Sequence, residues 1–238
     1  MTTEKKLKYN EPWILQRADP YVYRHVDGSY YFTASVPAYD GIVLRRAGSL
    51  EELPEAEEVM IWKKHESGPM SYHIWAPEIH YLFGKWYIYF AGGEKEDIWK
   101  IRPYVLECQG ENPLTDEWVE QVGVGRMVSN LYIAKMESGN QLKTVQVLLT
   151  TPDYDWERKG FWVNEGPAVI HHNGKLFLTY SASETGVDYC VGMLSIDEDA
   201  DLLDPRLWKK ERYPVLKTCE KLGIYGPGHN SFTVDEAG

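Results

Sequence analysis

The chain has few cysteines and no long apolar run. Its three cysteines, Cys108, Cys190 and Cys219, lie far apart, are odd in number and form no C-x-x-C pair. This spacing disfavours a disulfide framework or a zinc ribbon and fits a reducing compartment. No segment approaches the roughly 20 apolar residues of a membrane span, and the polar residues 1–10 contain no apolar signal-peptide core. We therefore expect a cytoplasmic protein that does not enter a membrane.

Basic charge is also scarce. The 238 residues include 25 Lys and Arg against 36 Asp and Glu, which gives a formal net charge of −11. Because nucleic-acid binding needs a basic surface to neutralise phosphates, this acidic balance argues against a nucleic-acid partner. Aromatic residues, by contrast, are plentiful, with 9 Trp and 17 Tyr. Their flat apolar faces and polar edges suit stacking against sugars, although they fill β cores equally well.

Four segments of the sequence resemble one another, which indicates an internal repeat. Each starts near a proline, alternates apolar and polar residues, and is followed in the first three copies by a glycine-containing turn and a second alternating strand. This is the pattern of a β-hairpin. The turns are Asp27-Gly28, Phe83-Gly84 and Asn173-Gly174, and the fourth copy stops at Gly238.

The spacing of the repeats predicts both the fold and a gap in it. The leading prolines, Pro20, Pro77, Pro167 and Pro227, are separated by 57, 90 and 60 residues. The middle interval falls short of two units by roughly 26 residues, and it holds a strand at residues 130–136 without the opening hairpin. We therefore predict one all-β domain over residues 1–238, a five-bladed β-propeller with one blade incomplete and the last blade truncated.

Two carboxylates stand where repeats begin, Asp19 before Pro20 and Glu165 before Gly166. In a propeller this point of each blade enters the innermost strand, so side chains from different blades converge on the central channel. Two carboxyl groups facing each other there can hydrolyse a glycosidic bond, one protonating the leaving oxygen and the other activating water. Hydrogen bonding at turns or strand ends explains the same two residues equally well.

Together, four motifs resemble the family 43 glycoside hydrolases over nearly the whole chain. They are Ala18-Asp-Pro20, Trp75-Ala-Pro-Glu78, Asn164-Glu-Gly-Pro167 and Gly226-Pro-Gly-His-Asn-Ser-Phe232. The resemblance implies a five-bladed propeller that releases terminal arabinofuranosyl residues, with inversion, from arabinose-decorated plant oligosaccharides. A β-xylosidase is the alternative within the family, and a non-catalytic or vestigial sugar-binding propeller is the alternative outside catalysis.

The resemblance also implies roles for individual residues. Asp19 would be the general base and Glu165 the general acid. Trp75 would form part of the wall of the terminal-sugar pocket, and the neighbouring His73 and Glu78 are further candidates for substrate binding.

A cation site and a third acid belong to the same family pattern. His229 would lie near the propeller axis, where relatives hold Ca²⁺ or another cation, although a hydrogen-bonded core histidine is the alternative. The third acid, an Asp that orients the general acid, belongs to the missing half-blade, and no residue is assigned to it because Asp116 does not match the motif. Its loss predicts impaired turnover in this shortened chain.

Overall fold

Strands are the main regular secondary structure of the computed structural model, which describes residues 12–121 and 130–237. This described part contains three four-stranded antiparallel sheets, two two-stranded sheets and three short 3₁₀ helices. The all-β prediction is confirmed. The same residues include no helix with the length and apolar character that crossing a bilayer requires.

Blade 1 contains the first predicted hairpin. Its sheet runs in the order β1-β2-β3-β4, and all six residues of β2 are buried. Gly28 turns the hairpin with φ of 86°, a value that glycine adopts without steric cost. A 3₁₀ helix at Leu53–Glu55 precedes the last strand. The strands are β1 Ala18–Arg24, β2 Tyr30–Ser35, β3 Gly41–Ala47 and β4 Val59–Lys63.

Blades 2 and 4 repeat this plan, with sheet orders β5-β6-β7-β8 and β13-β14-β15-β16. Their first hairpins turn at Phe83-Gly84 and Asn173-Gly174, and all four residues have positive φ. Two consecutive positive φ values define the type I′ turn, whose twist matches that of the flanking strands. The strands of blade 2 are β5 Tyr72–Leu82, β6 Lys85–Glu94, β7 Asp97–Cys108 and β8 Trp118–Gln121; those of blade 4 are β13 Asn164–His172, β14 Lys175–Ala182, β15 Cys190–Asp197 and β16 Lys209–Lys210.

Blade 3 is a remnant between these two blades. Its described residues form two short sheets, β9 with β12 and β10 with β11, instead of a four-stranded blade. The predicted junction of the internal deletion falls on residues 122–129, which lie outside the described residues. The elements are β9 Leu131–Ile133, β10 Met136–Ser138, β11 Gln141–Leu142, β12 Val147–Thr150 and a 3₁₀ helix at Asp155–Glu157.

The C-terminal segment, residues 211–237, links blade 4 to blade 1. At its start, Val191 donates its N–H to the Leu216 carbonyl at 2.8 Å, and a 3₁₀ helix follows at Glu220–Leu222. At its end, the Ser231 hydroxyl donates to the Pro20 carbonyl at 2.7 Å. The segment therefore occupies the place of the fifth blade, and its described residues contain no sheet of four strands.

The core lies between and within the blades. One apolar cluster joins blades 1 and 2 and includes Ile42 and Trp86; Trp86 is only 2% exposed, so it fills the core instead of forming a sugar platform. A second cluster joins the blade 3 remnant to blade 4 through Leu131 and Tyr180. Burial of apolar faces between neighbouring blades thus holds the start of each inner strand in place.

Candidate active site

The same backbone irregularity occurs where each inner strand begins. Asp19, Ala76, Gly166 and Gly226 all have φ between 48° and 54°, and each directly precedes one of the repeat prolines. In β1, β5 and β13 the strand pairing shifts at this point, as expected where a proline cannot donate an N–H to the ladder. Bulges re-aim side chains, and here they direct the motif residues towards the axis.

Residues from blades 1, 2 and 4 and from the C-terminal segment meet at one small axial cavity. Asp19, Glu78, Gly166 and His229 all line it, and its volume is about 10 Å³, close to the lower limit for one water molecule. Three of the candidate site residues, Asp19, Glu78 and His229, therefore meet at this cavity. Glu165 directly precedes the lining residue Gly166, and its predicted pairing with Asp19 across a shared channel stays a prediction.

Asp19 is held from two sides. Its Oδ2 accepts a hydrogen bond from the Ser35 hydroxyl at 2.6 Å, and its Oδ1 lies 3.5 Å from Nδ1 of His229. Ser35 is itself anchored, because its oxygen accepts the N–H of Ala76 at 2.8 Å. The backbone of blade 2 thus orients the Ser35 hydroxyl, and this hydroxyl in turn orients the Asp19 carboxylate in blade 1.

Glu165 has a tyrosine as its partner. The Tyr189 hydroxyl donates to Oε1 of Glu165 at 2.7 Å, and Tyr189 is only 7% exposed. Burial raises the pKa of Tyr189 far above its ordinary value, and the negative charges of Glu165 and Asp19 raise it further. Gly166, the residue after Glu165, lines the axial cavity together with Asp19, so both carboxylates belong to the same part of the molecule.

His229 links the surroundings of the two carboxylates. Its ring nitrogen Nδ1 lies 3.5 Å from Oδ1 of Asp19, and its backbone N–H donates to the Ser181 hydroxyl oxygen at 2.5 Å. Ser181 pairs with Glu165 across the β13–β14 ladder, so His229 contacts Asp19 directly and the cross-strand partner of Glu165.

Trp75 and His73 form an aromatic wall near the start of β5. Their rings stack with centroids 4.2 Å apart and an angle of 18°, and Tyr39 meets the Trp75 ring edge-on at 5.8 Å. Burial lowers the pKa of His73, although its hydrogen bond to the Ile98 carbonyl acts in the opposite direction. Tyr39 also lines a wider cavity of about 420 Å³ next to Asp19, within the size range of small-ligand sites.

Glu78 lies apart from that wall. It lines the axial cavity with Asp19, and neither Trp75 nor His73 lines that cavity. Its Oε2 is 3.3 Å from Nε2 of His80. Glu78 is therefore placed to act on the axial channel, and its substrate-binding role stays a prediction.

A buried ion pair supports the strand that carries Glu165. Glu157 is fully buried and lies 2.8 Å from the Lys210 ammonium. It accepts hydrogen bonds from the Tyr180 hydroxyl at 2.9 Å and from the Asn164 side-chain amide at 3.1 Å. Because Asn164 directly precedes Glu165, this network anchors the start of β13.

The residues around His229 offer few ligands for a cation. Asn230 also lines the axial cavity, and its buried Oδ1 has no hydrogen-bond partner among the described residues. Within residues 12–121 and 130–237, however, no three His, Cys, Asp or Glu side chains come together as metal ligands. Calcium takes six to eight oxygen ligands, so these side chains alone do not build a calcium site. A cation at His229 stays a prediction, and no chemical step below depends on it.

Sequence reasoning missed Tyr189, Ser35 and Ser181. The internal repeat contains a signal for the two serines, because both end the second strand of a hairpin, Ser35 opposite Ala18 and Ser181 opposite Glu165. Tyr189 lies in the loop between β14 and β15 and has no counterpart in the repeat pattern. Asp116, by contrast, accepts the N–H of Asn112 and closes a surface turn.

Comparison with known proteins identifies the family of this arrangement. The model of the glycosyl hydrolases family 43 matches residues 9–129 and 121–238. This chain belongs to that family. The two matched stretches meet at residues 121–129, the place where the repeat spacing predicts missing chain.

Named relatives cover nearly all of the chain. It is 48% identical to the extracellular exo-α-(1→5)-L-arabinofuranosidase of Streptomyces avermitilis, over 97% of this chain and 54% of the relative. It is 42% identical to α-L-arabinofuranosidase 43 of Humicola insolens, over 100% of this chain and 56% of the relative. The chain therefore spans about half the length of these two relatives.

A solved structure agrees with the propeller assignment. The α-L-arabinofuranosidase from Lactobacillus brevis matches with a TM-score of 0.90 and 46% identity, over 97% of this chain and 83% of that chain. The Streptomyces avermitilis alignment runs over 260 positions, whereas 97% of 238 residues is about 231, so about 29 positions have no counterpart here. This agrees with the deletion of roughly 26 residues that the repeat spacing predicts.

The expected cytoplasmic location is wrong. The Streptomyces avermitilis relative and a 43% identical relative from Streptomyces chartreusis are both named extracellular enzymes. The expectation depended on a polar N-terminus and on the absence of a disulfide pattern. A chain whose blades bury enough apolar surface does not need disulfides in order to fold, so its cysteine content does not report its compartment.

Proposed function

We propose that this chain is an inverting glycosidase that releases terminal α-L-arabinofuranosyl residues from arabino-oligosaccharides. The observation that carries the proposal is the placement of both carboxylates around His229, whose ring lies 3.5 Å from Asp19 and whose backbone N–H bonds the cross-strand partner of Glu165. This placement supports the action of two carboxyl groups on one glycosidic bond, which inverting hydrolysis requires.

Each carboxyl group has one task in this mechanism. Glu165, as the general acid, gives its proton to the glycosidic oxygen while the bond from that oxygen to the anomeric carbon breaks. Asp19, as the general base, takes a proton from the water that attacks the same carbon from the opposite face. The products are free arabinose of inverted configuration and the shortened oligosaccharide, and the proton accepted by Asp19 balances the one that Glu165 gave.

Arabinose is the preferred sugar in this proposal because relatives between 36% and 48% identical are all named arabinofuranosidases. A structural match titled as a xylan β-1,4-xylosidase is only 16% identical, which supports the fold and not the substrate. The stacked rings of Trp75 and His73, which contact Tyr39 at the wider cavity, supply a flat apolar surface on which a pentose stacks.

Hydrolysis of 4-nitrophenyl α-L-arabinofuranoside and of α-1,5-arabinotriose tests the proposal. We expect Glu165→Gln and Asp19→Asn to lower kcat on arabinotriose by about 10²–10⁴-fold, the usual worth of general acid–base groups. Asp197→Asn is the matched control, because this exposed carboxylate lies at the other end of blade 4 and we expect it to retain full activity. NMR of the fresh product reports whether its configuration is inverted.

Three results would contradict the proposal. Binding of arabinotriose without turnover identifies a sugar-binding propeller instead. Turnover of a xyloside in preference to the arabinofuranoside identifies a xylosidase. Retained activity in both the Glu165 and the Asp19 variants shows that other residues carry the chemistry.

A further inference from the structure

The chain contains no residue that matches the third acid of the family pattern, yet Glu165 is not left unsupported. In the described part of the chain, the one side-chain hydrogen bond to Glu165 comes from Tyr189 at 2.7 Å. We infer that Tyr189 is a positioning residue that holds the Glu165 carboxyl in the orientation for proton donation. This inference rests on the proposed role of Glu165 as the general acid.

The ring of Tyr189 is held tightly in place. A methyl group at Gly228 would lie 2.1 Å from Cε1 and 2.3 Å from Cδ1 of that ring, so only glycine leaves room for the ring to pass. The Tyr189 N–H also donates to the Gly186 carbonyl at 3.1 Å. The Gly226-Pro-Gly228 segment, which leads to His229, thus also forms one side of the pocket in which the Tyr189 ring lies.

The Tyr189 hydroxyl stays protonated in this pocket and therefore remains a hydrogen-bond donor. Burial and the two neighbouring carboxylates raise the pKa of Tyr189, so the hydroxyl keeps its proton over the whole working pH range. It contacts Oε1 of Glu165, which leaves Oε2 to carry the proton that goes to the leaving group. A carboxyl group fixed at one oxygen cannot rotate freely about its own bond, and such fixed orientation is a main source of catalytic rate.

The C-terminal segment contacts the surroundings of Glu165 at two points. The backbone N–H of His229 donates to the Ser181 hydroxyl oxygen at 2.5 Å, and Ser181 pairs with Glu165 across the β13–β14 ladder. Gly228 faces the ring of Tyr189, whose hydroxyl donates to Glu165. The segment that carries His229 therefore also packs against the phenol that holds Glu165.

Two substrates with different leaving groups distinguish a positioning role of Tyr189 from a merely structural one. An alcohol leaving group, as in α-1,5-arabinotriose, needs protonation by the general acid, whereas 4-nitrophenolate leaves with little help. For Tyr189→Phe we expect kcat to fall by about 10- to 100-fold on arabinotriose and by less than about threefold on 4-nitrophenyl α-L-arabinofuranoside. Tyr180→Phe is the matched control, because it removes an equally buried hydroxyl from a different carboxylate, Glu157.

In Tyr180→Phe we expect kcat to change by the same factor on both substrates. Equal losses on both substrates in Tyr189→Phe, or no loss on either, would overturn the inference. A parent chain that turns over neither substrate refutes the proposed function, and crystal structures of the parent and of Tyr189→Phe then decide the inference alone. A rotated Glu165 carboxyl in the variant supports it, and an unchanged carboxyl refutes it.

Discussion

Removing the buried carboxylate of Glu157 is the perturbation whose cost follows most directly from the structure. Its two oxygens accept the backbone N–H groups of Asp153 and Tyr154 at 2.7 and 2.8 Å, together with the side-chain donors of Asn164, Tyr180 and Lys210. Glu157→Ala therefore removes the acceptor of four neutral donors at once, and it leaves Lys210 with only the Thr151 carbonyl and the Asp153 carboxylate as partners.

The expected cost is large. Breaking a buried ion pair by deleting one partner costs about 3–5 kcal/mol, and each buried donor left unsatisfied adds to that. The rings of Tyr154 and Tyr180, 5.0 and 5.8 Å from the Lys210 ammonium, recover part of the loss. We expect Glu157→Ala to lose at least about 4 kcal/mol, a large share of the 5–15 kcal/mol of a typical domain, and to lower Tm by roughly 10–20 °C.

Urea denaturation followed by circular dichroism measures this loss. The matched control is Glu198→Ala, since Glu198 is an exposed loop carboxylate whose removal should change stability by no more than about 0.5 kcal/mol. The double variant Glu157→Ala/Lys210→Met should lose less stability than the two single variants combined, because it also removes the cation that has lost its buried carboxylate partner.

Two results would refute this reasoning. A loss below about 1 kcal/mol in Glu157→Ala would mean that water or a rearranged loop satisfies the stranded donors. Strictly additive losses in the double variant would mean that Glu157 and Lys210 do not act as a pair.

Three further predictions concern the site. Gly228→Ala displaces the Tyr189 ring and should lower kcat on arabinotriose about tenfold. The control Gly48→Ala should leave kcat unchanged, because its methyl group meets only a side-chain oxygen at 3.4 Å. Equal kcat values in the two variants would contradict this prediction. Burial lowers the pKa of His73, so the native state binds fewer protons than the unfolded chain and stability falls as pH drops through about 6.5. His73→Gln should therefore flatten the dependence of unfolding free energy on pH between about 5 and 7, and an unchanged slope in urea titrations would count against it. Ser35→Ala removes the hydroxyl that hydrogen-bonds Asp19, the proposed general base. It should reduce kcat on both substrates about tenfold and lower the free energy of unfolding by about 1–2 kcal/mol. Full activity of the purified variant would show that the hydroxyl is dispensable.

Much of the fold could be predicted from local patterns. The turns at Asp27-Gly28, Phe83-Gly84 and Asn173-Gly174 all close hairpins, because glycine and asparagine tolerate the positive φ that a tight turn needs. The repeated prolines mark the bulges at the start of the inner strands, since a proline cannot take part in the ladder. Their unequal spacing also predicts that roughly 26 residues are missing, and the length of the alignment with the Streptomyces avermitilis relative agrees with that number.

The partners of the site residues could not be predicted in the same way. Tyr189 follows Glu165 by 24 positions and joins it only because the β14–β15 loop folds back over the start of β13. Ser35 reaches Asp19 across a hairpin and Ala76 across a blade boundary. No local periodicity encodes contacts of this kind, because they depend on how whole blades pack.

The amino-acid sequence by itself determined the hairpins, the repeat, the incomplete blade and the two carboxylates at strand entries, since strand alternation and turn geometry act over a few neighbouring residues. Only the tertiary structure decided that His229 lies beside Asp19, 210 positions away in the chain. The same holds for the hydrogen bond from the buried Tyr189 hydroxyl to Glu165. The physical reason is that these contacts come from blades packed around one axis, where burial of apolar faces sets distances between residues that are remote in the chain.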